Sequence, residues 1–323
     1  MIISRTPFRI SFTGGSTDLK SFYENEFGAV VSTTINKYIY ITVNKRFDHT
    51  IRASYSKTEI VESADEIAHP IIREALKLTG IKNGLEITSI ADIPAGTGLG
   101  SSSSFTVGLL HALYAYSGKY VSAKDLAIQA CNIEINILKE PIGKQDQYAA
   151  AFGGLNLIRF NVDDSVFVDP VVMSRDRHRE LSQNFLLFFT GIQRSASNIL
   201  KKTENRQIEN KPFKSQMRDM SLELSEKLRS GESLNIIGDF LHRGWELKRQ
   251  LSNEISNEFI DSCYAKALEA GAMGGKILGA GGGGFLCLYA TKDKHASIRK
   301  ALADLREIDF EFDYQGSKIV YVE

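Results

Sequence analysis

Residues 94–104 read Pro-Ala-Gly-Thr-Gly-Leu-Gly-Ser-Ser-Ser-Ser, with Gly96, Gly98 and Gly100 alternating before four serines. Phe105, Val107, Leu109, Leu110 and Leu113 follow at helical spacing, so a glycine-rich turn opens straight into a helix. The start of a helix leaves N–H groups unpaired and carries partial positive charge. Glycines let that backbone close in on an anion, and the whole forms a nest of donors suited to a polyphosphate. Gly96, Thr97, Gly98, Leu99, Gly100, Ser101, Ser102 and Ser103 are therefore the candidate cradle. A Walker-type loop is excluded because no lysine follows Gly100. A dinucleotide fingerprint fails as well: Gly279–Gly284 has the spacing, but Phe285-Leu-Cys-Leu-Tyr289 after it reads as a strand, not a helix. The apolar periodicity directly after Ser104 argues against a flexible Gly/Ser linker.

Three further polar clusters lie far apart in the chain: the loop Gly14–Asp18, the pair Glu134 and Asp146, and the loop Lys276–Gly284. Phosphoryl transfer from a nucleotide needs a phosphate cradle, oxygen ligands for Mg²⁺, a carboxylate beside the acceptor hydroxyl, and donors that offset the moving charge. Each cluster offers one of these parts, and each has a plainer reading. The serines at 101–104 could cap their helix instead of reaching a metal. Glu134 sits among Ala130, Ile133 and Ile137 on an apolar stripe, where a carboxylate needs a metal or a salt bridge to Lys139 or Lys144. Asp146, in Gly-Lys-Gln-Asp-Gln, could orient a sugar hydroxyl or could simply favour the start of a short helix.

The elements that must position these residues are mixed. Alternation at Phe8, Ile10 and Phe12 marks a strand leading into the Gly14–Asp18 loop. Two β-branched runs around Asn36-Lys37 predict a hairpin or a pair of neighbouring strands, and Ile51–Tyr55 a third strand. Pro70 opens a helix that stops at Gly80, and Leu85–Ser89 delivers the chain to Pro94. Ser122 and Asp125 suit a capping box for a helix to about Leu138. The stretch Arg175–Glu180 is a plausible surface crossing between domains 1–175 and 176–323. Beyond it come a strand at Phe185–Phe189 and several helices, with Pro212 expected to interrupt them. Strands and helices without regular alternation predict an α+β protein.

Composition narrows the function. Hydrophobic content of 43% and charged content of 24% suit a globular enzyme, and 39 basic residues balance 39 acidic ones. No overall field favours nucleic acid or an anionic membrane, so neither is an expected partner. Arg5 and Arg9 break the apolar start, which argues against a signal peptide. Cys131, Cys263 and Cys287 are odd in number and widely spaced, as reduced thiols in a cytoplasmic protein would be. Monomer and homodimer both remain open.

Taken together, these segments resemble the GHMP kinases, the superfamily of galactokinase, homoserine kinase and mevalonate kinase. The residues from Pro7 to Asp18 resemble its N-terminal substrate motif, those from Pro94 to Ser103 its ATP loop, and those from Lys276 to Leu288 its C-terminal glycine motif. The resemblance implies a two-domain fold, a mixed α/β N-terminal domain and a ferredoxin-like C-terminal domain, with the active site between them. It implies ATP as donor and Mg²⁺ held by Ser102 and Glu134. Asp146 would face the acceptor hydroxyl. Arg9 would sit near the transferring phosphoryl group or hold Asp146 ionised. Gly14, Gly15, Ser16 and Asp18 would contact substrate, with Gly281 and Gly282 closing over it.

The substrate loop differs from the Gly-Glu-His-Thr-Asp of galactokinases: Gly14-Gly-Ser-Thr-Asp18 lacks the large acid and the imidazole. That opens the pocket and relieves repulsion of an anionic sugar. This loop, with Ala53–Glu59, Gly143–Gly154 and Trp245–Arg249, resembles the branch acting on D-glycero-D-manno-heptose 7-phosphate at its anomeric hydroxyl. A sugar phosphate needs a second anion site, for which Arg249 is the candidate, with Lys248, Arg194 and Arg52 beside it. A kinase for a neutral sugar such as fucose or galactose is the alternative, and a catalytically silent sugar or nucleotide sensor a more distant one.

Overall fold

The computed structural model describes residues 1–193, 196–204 and 206–323. Arg194, one of the basic candidates, lies outside the described residues. A nine-stranded sheet dominates the first half, with a path running Lys318–Val322, Ile2–Thr13, Gly28–Lys45, Leu85–Ala91, Ile51–Ser54 and Thr58–Val61. Its neighbours are antiparallel except Ile51–Ser54 beside Leu85–Ala91. A second, four-stranded antiparallel sheet orders Arg306–Glu307, Phe185–Phe189, Phe285–Tyr289 and Gly274–Ile277. Mixed α+β content in two sheets is the predicted class. The tail, however, returns: Phe312–Asp313 and Lys318–Val322 pair with the first sheet rather than the second.

The helix Ser101–Tyr116 is buried nearly all round from Ser103 to Leu113, so it reads as apolar on every face. Gly108 lets it press against the first strand, where the Ser4 hydroxyl donates to the Gly108 carbonyl at 2.7 Å. Pro70–Thr79 begins at its proline and ends at a left-handed Gly80, as its sequence predicts. Ser122 caps Ala123–Cys131 by accepting from the Asp125 N–H at 3.1 Å.

Several expectations differ. Asn36-Lys37 is no turn: Gly28–Lys45 is one strand, bent where its register against Pro7–Phe8 slips. Its β-branched residues satisfy a long strand as well as two short ones, and a bulge takes up the break. Arg175–Gln183, expected only as a charged surface crossing, is a helix capped by Ser174. Pro212 lies inside the helix Gln207–Ser230, near its beginning, where few intrahelical bonds precede it.

The two sheets meet backbone to backbone at the glycine loops. A methyl group on Gly98 would come within 2.5 Å of the Leu278 carbonyl oxygen, and one on Gly279 within 2.6 Å of the Gly98 Cα. Both residues also hold positive φ, 86° and 68°. No side chain fits between the phosphate loop and its counterpart. Gly279→Ala is therefore expected to lower stability by about 2 kcal/mol in denaturant unfolding. A loss within experimental error would show that the loops can part.

Candidate active site

The strand Ile2–Thr13 directs Arg9 and Ser11 to one face, into a cleft of about 360 Å³ between the two glycine loops. Arg9 is the fulcrum. Its Nε and Nη2 donate to Oδ1 and Oδ2 of Asp146 at 2.7 and 2.8 Å, a two-pronged ion pair. Its Nη1 donates to the Gly98 carbonyl at 2.6 Å. One guanidinium thus ties the carboxylate in the first turn of Gln145–Phe152 to the phosphate loop.

That loop ends at Gly100, whose left-handed backbone (φ 76°) precedes Ser101–Tyr116 with no side-chain cap. A Cβ there would lie 3.1 Å from Asp146 Oδ2, so the carboxylate reaches the very mouth of the helix. The serines do not cap. The Ser102 hydroxyl donates to Glu134 Oε1 at 2.8 Å and the Ser104 hydroxyl to the Pro7 carbonyl at 2.9 Å. Gln147 Nε2 donates to the other Glu134 oxygen at 2.8 Å. Neither lysine proposed for Glu134 pairs with it: Lys144 turns to Asp164 at 2.6 Å. Glu134 instead occupies a π-helical turn, Asn132–Ile137, in which the Leu138 N–H reaches back to the Ile133 carbonyl. Widening the helix by one residue pushes this carboxylate inward.

Glu134 is 1% exposed, and burial, partly offset by the Ser102 and Gln147 hydrogen bonds, raises its pKa to about 7. Asp18 is raised to about 6, mainly by burial, against the Gln145 N–H that donates to it at 3.1 Å. The Ser16 N–H donates to the other Asp18 oxygen at 3.1 Å from a left-handed backbone (φ 77°) unusual for serine. The donor set of Glu134 and Ser102 beside Asp146 is all oxygen, the chemistry Mg²⁺ prefers. No cluster of three or more His, Cys, Asp or Glu residues stands ready for a metal among the described residues. A few protein oxygens completed by phosphates and water suit Mg²⁺ better than a closed protein cage. The residues present fit that ion.

Fourteen predicted residues line the cleft: Arg9, Gly15, Ser16, Asp18, Gly96, Gly98, Gly100, Ser101, Ser102, Ser103, Glu134, Asp146, Lys248 and Gly281. Gly14, Thr97, Leu99 and Gly282 are not among its lining residues. The Thr97 hydroxyl donates to the Pro94 carbonyl at 3.0 Å, and the Leu99 carbonyl accepts from the Arg9 N–H at 3.1 Å. Arg249 is a correction. It points away from the cleft to Glu246 and Asp261, both at 3.2 Å, because one residue along a helix turns the side chain by about 100°. Its neighbour Lys248 enters the cleft instead. Arg52 pairs with Glu86 on the sheet at 2.8 Å. Ser11 and Gln147 carry no role in the sequence analysis, and Lys276 enters it only as the first residue of a glycine loop. Only the position of Lys276 at the head of a glycine motif could have marked it.

Two models of one family match the sequence: the GHMP kinases N terminal domain over residues 59–154, and the GHMP kinases C terminal over residues 224–307. A D-glycero-alpha-D-manno-heptose 7-phosphate kinase of Campylobacter jejuni is 29% identical over 333 residues, covering 98% of each chain. A galactokinase of Pyrococcus furiosus is 25% identical over 99% of this chain and 97% of its own. Among solved structures, a D-glycero-D-manno-heptose 1-phosphate kinase from Bacteroides thetaiotaomicron superposes with a TM-score of 0.83 at 24% identity, over the full length of both chains. No helix among the described residues is long and apolar enough to cross a membrane.

The raised carboxyls set a pH dependence. Asp18 and Glu134 bind protons more readily folded than unfolded, so the native state holds extra protons between about pH 4 and pH 7. Stability of the metal-free protein therefore falls as pH rises through that window. Glu134→Gln is expected to remove part of the fall, raising stability at pH 8 by on the order of 2 kcal/mol while changing little at pH 4. Denaturant unfolding at both pH values measures it, and an unchanged difference would mean that the carboxyl is not desolvated.

Proposed function

The chain belongs to the GHMP kinases and is an ATP-dependent phosphotransferase, and from that premise we propose that it phosphorylates the anomeric hydroxyl of D-glycero-D-manno-heptose 7-phosphate. The observation that carries a transfer reaction here is the Arg9–Asp146 pair at the open mouth of Ser101–Tyr116. The full-length likeness to a heptose 7-phosphate kinase, and a substrate loop stripped of large and acidic side chains before Asp18, support the choice of sugar.

Backbone N–H groups of Ser101 to Ser103, with the glycines before them, hold the phosphates of the donor. Ser102 and Glu134 would hold Mg²⁺, which when bound neutralises charge on the phosphate oxygens. Arg9 occupies one side of each Asp146 oxygen and leaves the remaining lone pairs for the sugar hydroxyl. Asp146 aims that hydroxyl along the line of attack. A new bond forms between the sugar oxygen and the γ-phosphorus, the bond to the bridging oxygen of ADP breaks, and the hydroxyl proton passes to Asp146. Asp18, fixed by the Ser16 and Gln145 N–H groups, grips other sugar hydroxyls. We divide the chain functionally into 1–175, carrying these groups, and 176–323, closing the cleft with Gly281. Buried free cysteines and dependence on ATP favour the cytoplasm.

ADP release from Mg-ATP, measured with heptose 7-phosphate, free heptose, fucose and galactose in parallel, tests the assignment. Turnover is expected with the heptose phosphate, and turnover of neutral sugars alone would refute it. Asp146→Asn is expected to cut kcat by 10²–10⁴ and to leave the KM for ATP within about threefold. A variant that turns over normally would remove Asp146 from the chemistry.

A further inference from the structure

Two buried cations in the cleft have no task in this mechanism. Lys248 and Lys276 are each only 4% exposed, and both line the cleft. Lys276 Nζ donates to the Phe12 carbonyl at 3.2 Å. Lys248 Nζ donates to the carbonyls of Ile277, at 3.4 Å, and Gly279. Neither ammonium pairs with a carboxylate among the described residues, and Arg9 nearby is already committed to Asp146. The charges bearing on Lys248 are Lys276, Arg9 and Asp18. Desolvation, reinforced by the two positive neighbours, drives its pKa well below the usual lysine value, and burial brings Lys276 down to about 8. Between Arg9 and Phe12, Ser11 is 4% exposed and lines the same cleft with a hydroxyl that has no partner.

Desolvated ammonium groups without a counter-charge are unfavourable, and so is a buried hydroxyl without a hydrogen bond. An arriving anion relieves all three. The side of the cleft on which they stand narrows what that anion is. Glu134 accepts from Ser102 in the helix start that meets the donor, whereas the carboxylate bearing on Lys248 is Asp18, in the acceptor loop. Lys276 is anchored on the strand that runs into that loop.

We propose that Lys248, Lys276 and Ser11 form an anion subsite for a phosphomonoester already present on the acceptor sugar. The enzyme thereby reads its substrate at the end remote from the reacting hydroxyl. This deepens the kinase reading and rests on it: of the basic residues that the sequence offers for a second anion site it takes Lys248, not Arg249, and adds Lys276.

The test compares D-glycero-D-manno-heptose 7-phosphate with D-glycero-D-manno-heptose in wild type, Lys248→Gln, Lys276→Gln and Lys276→Arg. Steady-state kinetics and ligand-induced shifts of the melting temperature are both recorded. The ratio of kcat/KM for the phosphorylated over the unphosphorylated sugar is expected to fall at least tenfold in each glutamine variant. Lys276→Arg should recover part of it. The KM for ATP should move less than threefold, and the melting shift produced by the sugar phosphate should shrink with the ratio. Equal losses for both sugars would mean that the lysines serve the transferred phosphoryl group or only brace the loop, and would overturn the proposal. So would an unliganded Lys276→Gln less stable than wild type with the ratio retained. If no sugar is turned over, the melting shifts decide alone. A phosphate-specific, lysine-dependent shift would sustain the subsite while the kinase reading fails, and shifts equal for both sugars would refute the subsite.

Discussion

One guanidinium sets the geometry on which this cleft depends. Arg9 holds both oxygens of Asp146 with two of its N–H groups and the Gly98 carbonyl with a third. The carboxylate that meets the acceptor and the loop that meets the donor are thereby fixed to the same planar group. A fork of donors in a rigid plane constrains angles as well as distances, which a lysine could not do. In-line transfer tolerates little misplacement, so the rigidity of this contact matters more than its net contribution to folding.

Around that fulcrum the cleft accumulates charge that the fold alone would disfavour. Glu134 and Asp18 are buried carboxyls with raised pKa values, and Lys248 and Lys276 are buried ammoniums with lowered ones. Glu134 stands on the donor side and the lysines nearer Asp18 in the acceptor loop, and none of the four is closed into an ion pair among the described residues. A protein that neutralised them internally would gain stability and lose its ligands. Local irregularities hold the arrangement in place: a π-helical turn beneath Glu134, a left-handed serine beside Asp18, and glycines interlocked where no Cβ fits.

Misreadings of the sequence share a physical origin. Pro212 and Asn36-Lys37 looked like punctuation, yet a proline near a helix start and a bulge in a long strand absorb such signals once neighbours pack against them. The sequence favours Arg249 over Lys248, yet adjacent residues on a helix cannot be told apart until the axis is oriented against a sheet. Ser11, Gln147 and Lys276 carry no local pattern of their own. Their significance comes from what lies across the cleft: Lys276 meets the Phe12 carbonyl 264 positions earlier in the chain.

The sequence by itself determined the local chemistry: a helix start stripped of side chains for an anion, a polar loop after a strand, two carboxylates at helix positions, and the mixture of strands and helices that frames them. Such features follow from backbone propensity and short-range spacing, which the order of residues encodes directly. Only the tertiary structure decided which of these groups meet. Whether a carboxylate pairs with Arg9, with a serine or with a lysine depends on how two sheets pack through their glycine loops, and that is a property of long-range contacts that no local window contains.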